Sequence, residues 1–125
     1  MKIKKEIKGQ LLNICLTFDQ IENKDQYALV ILCSICAYFM QNKINVRTDG
    51  KQSVFIDEVE IGNIVILAQE VKVSLYVDKI KHYVKNVNPT LVSIGLQTYF
   101  QIYFHLYDTG EFHQVEDFYL KVKKV

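Results

Sequence analysis

The chain has one arginine, one proline, three alanines and no tryptophan in 125 residues, and the scarcity of arginine carries physical weight. Guanidinium groups carry most bidentate recognition of phosphate and guanine, so a protein whose one arginine is Arg47 is poorly equipped to read DNA directly. Its lysines can still touch phosphate, but a nucleic acid is not the expected partner. The five glycines, at positions 9, 50, 62, 95 and 110, are too scattered to build a phosphate-cradling loop. Neither the GxSxG pattern nor the HExxH pattern occurs, and no catalytic residue is assigned.

Three cysteines, an odd number, stand in a chain that opens MKIKKEIKG. A secretory signal needs an apolar stretch directly after its basic start, and none comes before Leu11. Reduced thiols and a cytoplasmic location are expected. Cys33 and Cys36 form a CxxC pair, but Cys15, His82, His105 and His113 are scattered singly, so no metal and no cofactor are expected. The apolar run YALVILCSICAYFM covers fourteen residues, 27–40, against the roughly 20 that cross about 30 Å of hydrocarbon. It has the length of a core helix, and no membrane is expected.

Half of the residues are apolar and 23 % are charged, with a formal net charge of +1. Such a chain buries about two-thirds of the surface its unfolded form exposes, and a single domain over 1–125 is expected. Fourteen isoleucines and fourteen lysines against three alanines and one arginine mirror A/T-rich codons, a usage common in bacteria, phages and mobile elements.

From Ile3 the apolar residues Ile7, Leu11, Ile14, Phe18 and Ile21 fall at alternating steps of four and three, as on one face of an amphipathic helix. Asn23 or Asp25 then caps a second helix, from about Asp25 to Asn42, whose apolar character nearly all round predicts burial in the middle of the domain. Ile44, Val46 and Thr48 alternate with polar residues, Asp49-Gly50 signals a turn, and Val54-Phe55-Ile56 resumes an extended run, which predicts a hairpin. Residues 57–88 keep helical spacing at Ile61, Val65, Ala68, Val71 and Leu75 and again at Val77, Ile80, Val84 and Val87, with Pro89 ending the helix. The alternation of Val71, Val73, Leu75 and Val77 leaves an interrupting strand at 71–77 open.

Beyond Pro89, Val92, Ile94, Leu96, Thr98, Phe100, Ile102, Phe104 and Leu106 take the even positions and more polar residues the odd ones. This predicts a long strand with a bulge near Gly95, a turn at Asp108-Thr109-Gly110-Glu111, and a return strand through Phe118, Leu120 and Val122. The expected fold class is α+β: two N-terminal helices, one of them buried, a hairpin, a further helix, and a long curved antiparallel C-terminal β-hairpin.

The odd face of that strand carries Tyr99, Tyr103, His105 and Tyr107, interleaved with Gln97 and Gln101. Tyrosine favours strands in any case, so a solvated sheet face explains the stripe as well as a function does. As a functional surface its composition suits protein contact, because tyrosine supplies large contact area at low entropy cost. The following segment DTGEFHQVED adds Asp108, Glu111, His113, Glu116 and Asp117 without a lysine or arginine, which suits steering of a basic partner. These nine residues are the expected partner-binding set. They point to a small cytosolic protein-interaction protein that binds and occludes another protein. An immunity or antitoxin-type inhibitor of bacterial or phage origin is its most concrete form, with no enzymatic activity expected. Homodimerisation through the same strand or face is a further expectation.

Two alternatives stay open. If the sheet curves round a helix, the tyrosines line a pocket with His105 as acid or base. The order of helices, hairpin, helix and long strands is then similar to the cone-shaped fold of the nuclear-transport-factor-like proteins, which implies a ligand-binding protein or enzyme. The segment Cys33-Ser34-Ile35-Cys36, with Pro89-Thr90 before a later strand, resembles the thioredoxin pattern of a CxxC faced by a proline, which implies a thiol oxidoreductase. On an uninterrupted helix the same cysteines lie i, i+3 on an apolar face and act as small hydrophobes.

Overall fold

Gly9 sits at φ +60, a left-handed conformation open to glycine, and it turns the chain back on itself. The segment expected to be the first helix is therefore a hairpin in the computed structural model, which describes residues 1–122, with side chains as far as Tyr119. β1 (Lys2–Lys8) pairs antiparallel with β2 (Leu11–Thr17), Ile3 opposite Leu16 and Ile7 opposite Leu12. The helical steps from Ile7 to Phe18 lose to the alternation of Leu12, Ile14 and Leu16, which buries all three on one face of a sheet.

The second helix forms as expected. Asn23 accepts a hydrogen bond from Gln26 N at 3.1 Å, and α1 (Lys24–Gln41) runs from that cap with buried residues from Ala28 to Phe39. The expected hairpin also forms, as β3 (Arg47–Thr48) and β4 (Ser53–Ile56). Its turn is held by Asp49, whose Oδ1 receives the backbone N–H groups of Lys51, Gln52 and Ser53 at 2.9, 3.0 and 3.0 Å. Desolvation alone would raise the Asp49 carboxyl, but these donors outweigh it and hold it below its ordinary value.

The helix predicted over 57–88 is corrected to two strands, β5 (Val59–Ile66) and β6 (Glu70–Tyr76), and a single turn, α2 (Val77–Ile80). Alternation at Val71, Val73 and Leu75 decided it, since those side chains complete the buried face begun by β2. Ile61 is an extra residue in β5, because Val54 pairs with Gly62 while Phe55 pairs with Glu60. Gly62 is required beside this bulge: a Cβ there would run into the Leu75 side chain and the Ser74 carbonyl.

Pro89 does not end a helix but begins one. Asn88 accepts from Leu91 N at 3.0 Å, proline occupies the first turn where no donor is needed, and α3 (Pro89–Asp108) follows. The long curved strand is thereby overturned. Val92, Leu96, Phe100 and Phe104, four apart, share a face under either period, and here they are the buried face of a helix. The return strand is overturned too: Gly110, at φ +79, closes α3 and lets α4 (Phe112–Val122) fold back.

The six strands form one antiparallel sheet, ordered β1-β2-β6-β5-β4-β3. α1, α3 and α4 make up a helical layer on one face of it. α1 covers the β3, β4 and β5 side, α3 covers β1 and β2, and α4 packs on both helices. With the sheet on one side, α3 beside it and α4 against it, α1 is enclosed, which is why it is apolar nearly all round. The expected order of N-terminal helices and C-terminal strands is replaced by two strands, a helix, four strands and then helices.

Candidate functional site

Because the helices cover one face of the sheet, every second residue of each strand projects from the other. Register places Asn63, Ser74 and Asn13 side by side across β5, β6 and β2, with Glu6 continuing the row on β1. The next row is Val65, Lys72, Cys15 and Lys4. Between the rows lies a shallow depression of about 480 Å³, lined by Lys4, Glu6, Asn13, Cys15, Lys72 and Ser74 among others. That volume lies in the range of small-molecule sites.

The side chains of this face are tied to one another. Ser74 Oγ donates to Asn13 Oδ1 at 2.9 Å, which engages one lone pair of that oxygen and leaves the Asn13 amide N–H groups outside this bond. Asn63 Nδ2 donates to Tyr76 Oη at 3.0 Å and to Glu60 Oε1 at 3.3 Å; the bulge at Ile61 is what brings Glu60 onto this face. Lys79 stands over the Tyr76 ring, 4.8 Å from its centroid. Cys15 donates its S–H to Glu70 Oε2 at 3.2 Å, and Lys72 lies 3.9 Å from the other Glu70 oxygen. Burial first, and then the Glu70 carboxylate, pushes the Cys15 thiol up, which favours the protonated form that donates to Glu70. The arrangement can accept and donate along its central row and offers ammonium groups at Lys4 and Lys72 for an anion.

A second depression, of about 420 Å³, lies where the C-terminal end of α1 meets the start of α3, between Tyr38, Phe39, Ile44, Val87 and Leu91. Two of its polar residues serve the helices: Asn42 Nδ2 donates to Tyr38 O at 2.8 Å, and Asn88 caps α3.

The tyrosines expected at a contact face lie elsewhere. On a helix, Tyr99, Tyr103 and Tyr107 turn inward and are half-buried against the core. Tyr38, Tyr99, Tyr103 and Phe112 follow one another with ring centroids 6.1, 5.8 and 6.3 Å apart, and Tyr107 joins Tyr27 at 5.5 Å. Desolvation raises the Tyr103 and Tyr107 hydroxyls. His105 and Asp108 are exposed on α3, Glu111 is exposed in the following turn, and His113, Glu116 and Asp117 lie on α4, Glu116 half-buried. These acidic residues do share one end of the helical layer. His105 lines neither depression, so the pocket centred on it, and with it the cone-shaped layout, is overturned. Cys33 and Cys36 are buried in the middle of α1, where desolvation pushes the Cys33 thiol far up. A protonated thiol in mid-helix has no N-terminal dipole to activate it, and the thiol oxidoreductase reading fails on that point.

Among the described residues, no three His, Cys, Asp or Glu side chains gather to hold a metal ion, and no helix is long and apolar enough to cross a membrane. Sequence reasoning missed Asn13, Cys15, Lys72 and Ser74, because its periodicity places both strands in helices. The signal that finds them is the polar half of two alternations, Asn13-Cys15-Thr17 and Lys72-Ser74-Tyr76.

No family model and no curated protein matches the sequence. Solved structures do match the fold. A biotin protein ligase from Aquifex aeolicus superposes with a TM-score of 0.73 at 12 % identity, over 84 % of this chain and 57 % of the ligase. A point mutant of the Aquifex aeolicus ligase in complex with biotin gives 0.65 at 12 % identity, over 84 % and 54 %. The chain thus spans a little over half the length of those ligases and shares their fold. The immunity or antitoxin-type inhibitor is overturned by this likeness, and its physical premise, an open tyrosine face on a strand, is gone as well.

Proposed function

We propose that the open face of the sheet binds a small anionic molecule, with biotin as the first candidate. The observation that carries this reading is the row Asn63, Ser74 and Asn13 lying beside Lys72 and Lys4 over a depression on the face opposite the helices. Neighbouring strands lie about 4.8 Å apart, so this row of three spans about 10 Å, the scale of a small bicyclic ligand. Biotin suits the chemistry at both ends: its ureido ring donates and accepts as the row does, and its carboxylate matches an ammonium group. The biotin complex of a ligase with this fold supports the choice of probe. The scattered glycines offer no phosphate loop, so the proposal is for binding and not for a phosphate-driven ligation.

The test is a titration of the isotope-labelled chain with biotin followed by amide resonances. Shifts at Asn13, Cys15, Lys72 and Ser74 are expected, with at least about tenfold weaker binding in a Lys4→Glu, Lys72→Glu double variant. No shifts at millimolar biotin, or shifts confined to residues 84–92 at the second depression, overturn the proposal.

A further inference from the structure

The depression of about 420 Å³ between the end of α1 and the start of α3 shares no residue with the depression on the sheet face. Its lining is largely apolar, with Phe39, Ile44 and Val92 buried and Val84 and Val87 half-buried. One aromatic ring is fixed in it. Tyr38 lies against Gly95 of α3, where any Cβ would collide with the ring, and it meets Phe39 and Tyr99 edge-on with centroids 5.1 and 6.1 Å apart. Glycine in mid-helix is unfavourable beside alanine, and here it makes the room that the ring fills. The Tyr38 hydroxyl has no hydrogen-bond partner among the described residues. Desolvation raises it, so it stays a proton donor at neutral pH.

Charge in the lining has one sign. Every lining residue comes from 38–44 or 84–92, and no Asp or Glu occurs between Asp25 and Asp49 or between Asp78 and Asp108, in a chain that has fourteen. Lys85 lines the depression, exposed and without an ion pair among the described residues. Asn86 and Asn88 line it too, and Asn88 engages only its Oδ1, with Leu91 N, which leaves its amide N–H groups available. This set selects the occupant. A cationic ligand finds no carboxylate, and a wholly apolar one would cover donors without pairing them. An apolar body with an anionic head meets both parts of the lining.

We propose that this depression binds a small hydrophobic carboxylate, its carboxylate met by Lys85, its apolar body by Phe39, Ile44, Val87 and Leu91, and one hydrogen bond supplied by the Tyr38 hydroxyl. The volume lies in the range of small-molecule sites. A ligand of about eleven heavy atoms in so open a site binds weakly, with a dissociation constant of about 0.1–1 mM. The residues involved differ from those of the sheet face, so this proposal and the one for biotin fail separately.

The test titrates the isotope-labelled full chain at neutral pH with 3-phenylpropionate, to about tenfold above that constant, and follows amide resonances. Saturating shifts at Tyr38, Ile44, Lys85, Val87 and Leu91 are expected. 3-Phenylpropionamide, the same body without the charge, should bind at least about fivefold more weakly, and 2-phenylethylamine should shift none of these residues. Lys85→Glu should weaken the carboxylate about fivefold or more, and Tyr38→Phe, which keeps the ring, about threefold. Far-ultraviolet circular dichroism checks that both variants fold. Should Tyr38→Phe alter the fold, Lys85→Glu still reads the site, because that side chain is exposed. An amide or amine that binds as tightly as the carboxylate overturns the proposal, and so does an affinity that Lys85→Glu leaves unchanged. Shifts confined to Asn13, Cys15, Lys72 and Ser74, or no shifts at all, overturn it equally.

Discussion

α1 and α3 are 18 and 20 residues long, lie side by side, and lack charge through their middles, yet one is enclosed and the other is open. α1 has the sheet, α3 and α4 around it, so its apolar residues on every side are satisfied by packing. α3 also touches the sheet, α1 and α4, but they leave its outer side open, and Leu91, Ile94 and Ile102 remain exposed there. An apolar, uncharged helix therefore does not by itself report burial. What decides how much of such a helix is buried is where the fold places its neighbours.

Replacing Leu32, fully buried in α1, with alanine should break this contrast most severely. A loss of about 2–5 kcal/mol is expected in denaturant unfolding, from the deleted contacts and the cavity left behind. A loss under about 1 kcal/mol would mean that α1 is not enclosed as described. The caps should behave alike in the two helices, since each is an asparagine accepting one backbone N–H near 3 Å. Asn23→Ala and Asn88→Ala are each expected to cost about 1 kcal/mol, and a cost at one helix alone would show that its neighbours, not its cap, set where it starts. The smallest effect belongs to Ile94→Ser on the open side of α3, within about 0.5 kcal/mol. A larger loss would show that this side is covered within one chain.

The same two helices show what was legible in the residues. α1 is plain in the sequence: Asn23 supplies the cap, and fourteen successive uncharged residues fit no other element of that length. The Asp49-Gly50 hairpin is equally local, three N–H groups converging on one carboxylate within a single turn. α3 is misread as a strand because residues four apart lie on one face under both periods, so Val92, Leu96, Phe100 and Phe104 fit either. Asn88-Pro89 is the cue that separates them, a cap followed by proline in the first turn. The polar face is harder to see. Asn13 and Ser74 are 61 positions apart, and nothing in either segment names the other as its partner.

The sequence by itself determined a few local features: the turns at Asp49-Gly50 and at Asp108 to Glu111, that the segment after Asn23 is a central helix, and that no stretch offers a phosphate loop. Each of these follows from groups a few residues apart. Tertiary structure decided the rest, including the strands at 2–17 and 59–76, the helix after Pro89, the inward turn of Tyr99, Tyr103 and Tyr107, and the row from Asn63 to Asn13. The physical reason is a degeneracy. Apolar residues at intervals of four serve a helix and a strand equally, and the choice falls to whichever arrangement gives those side chains a surface to be buried against.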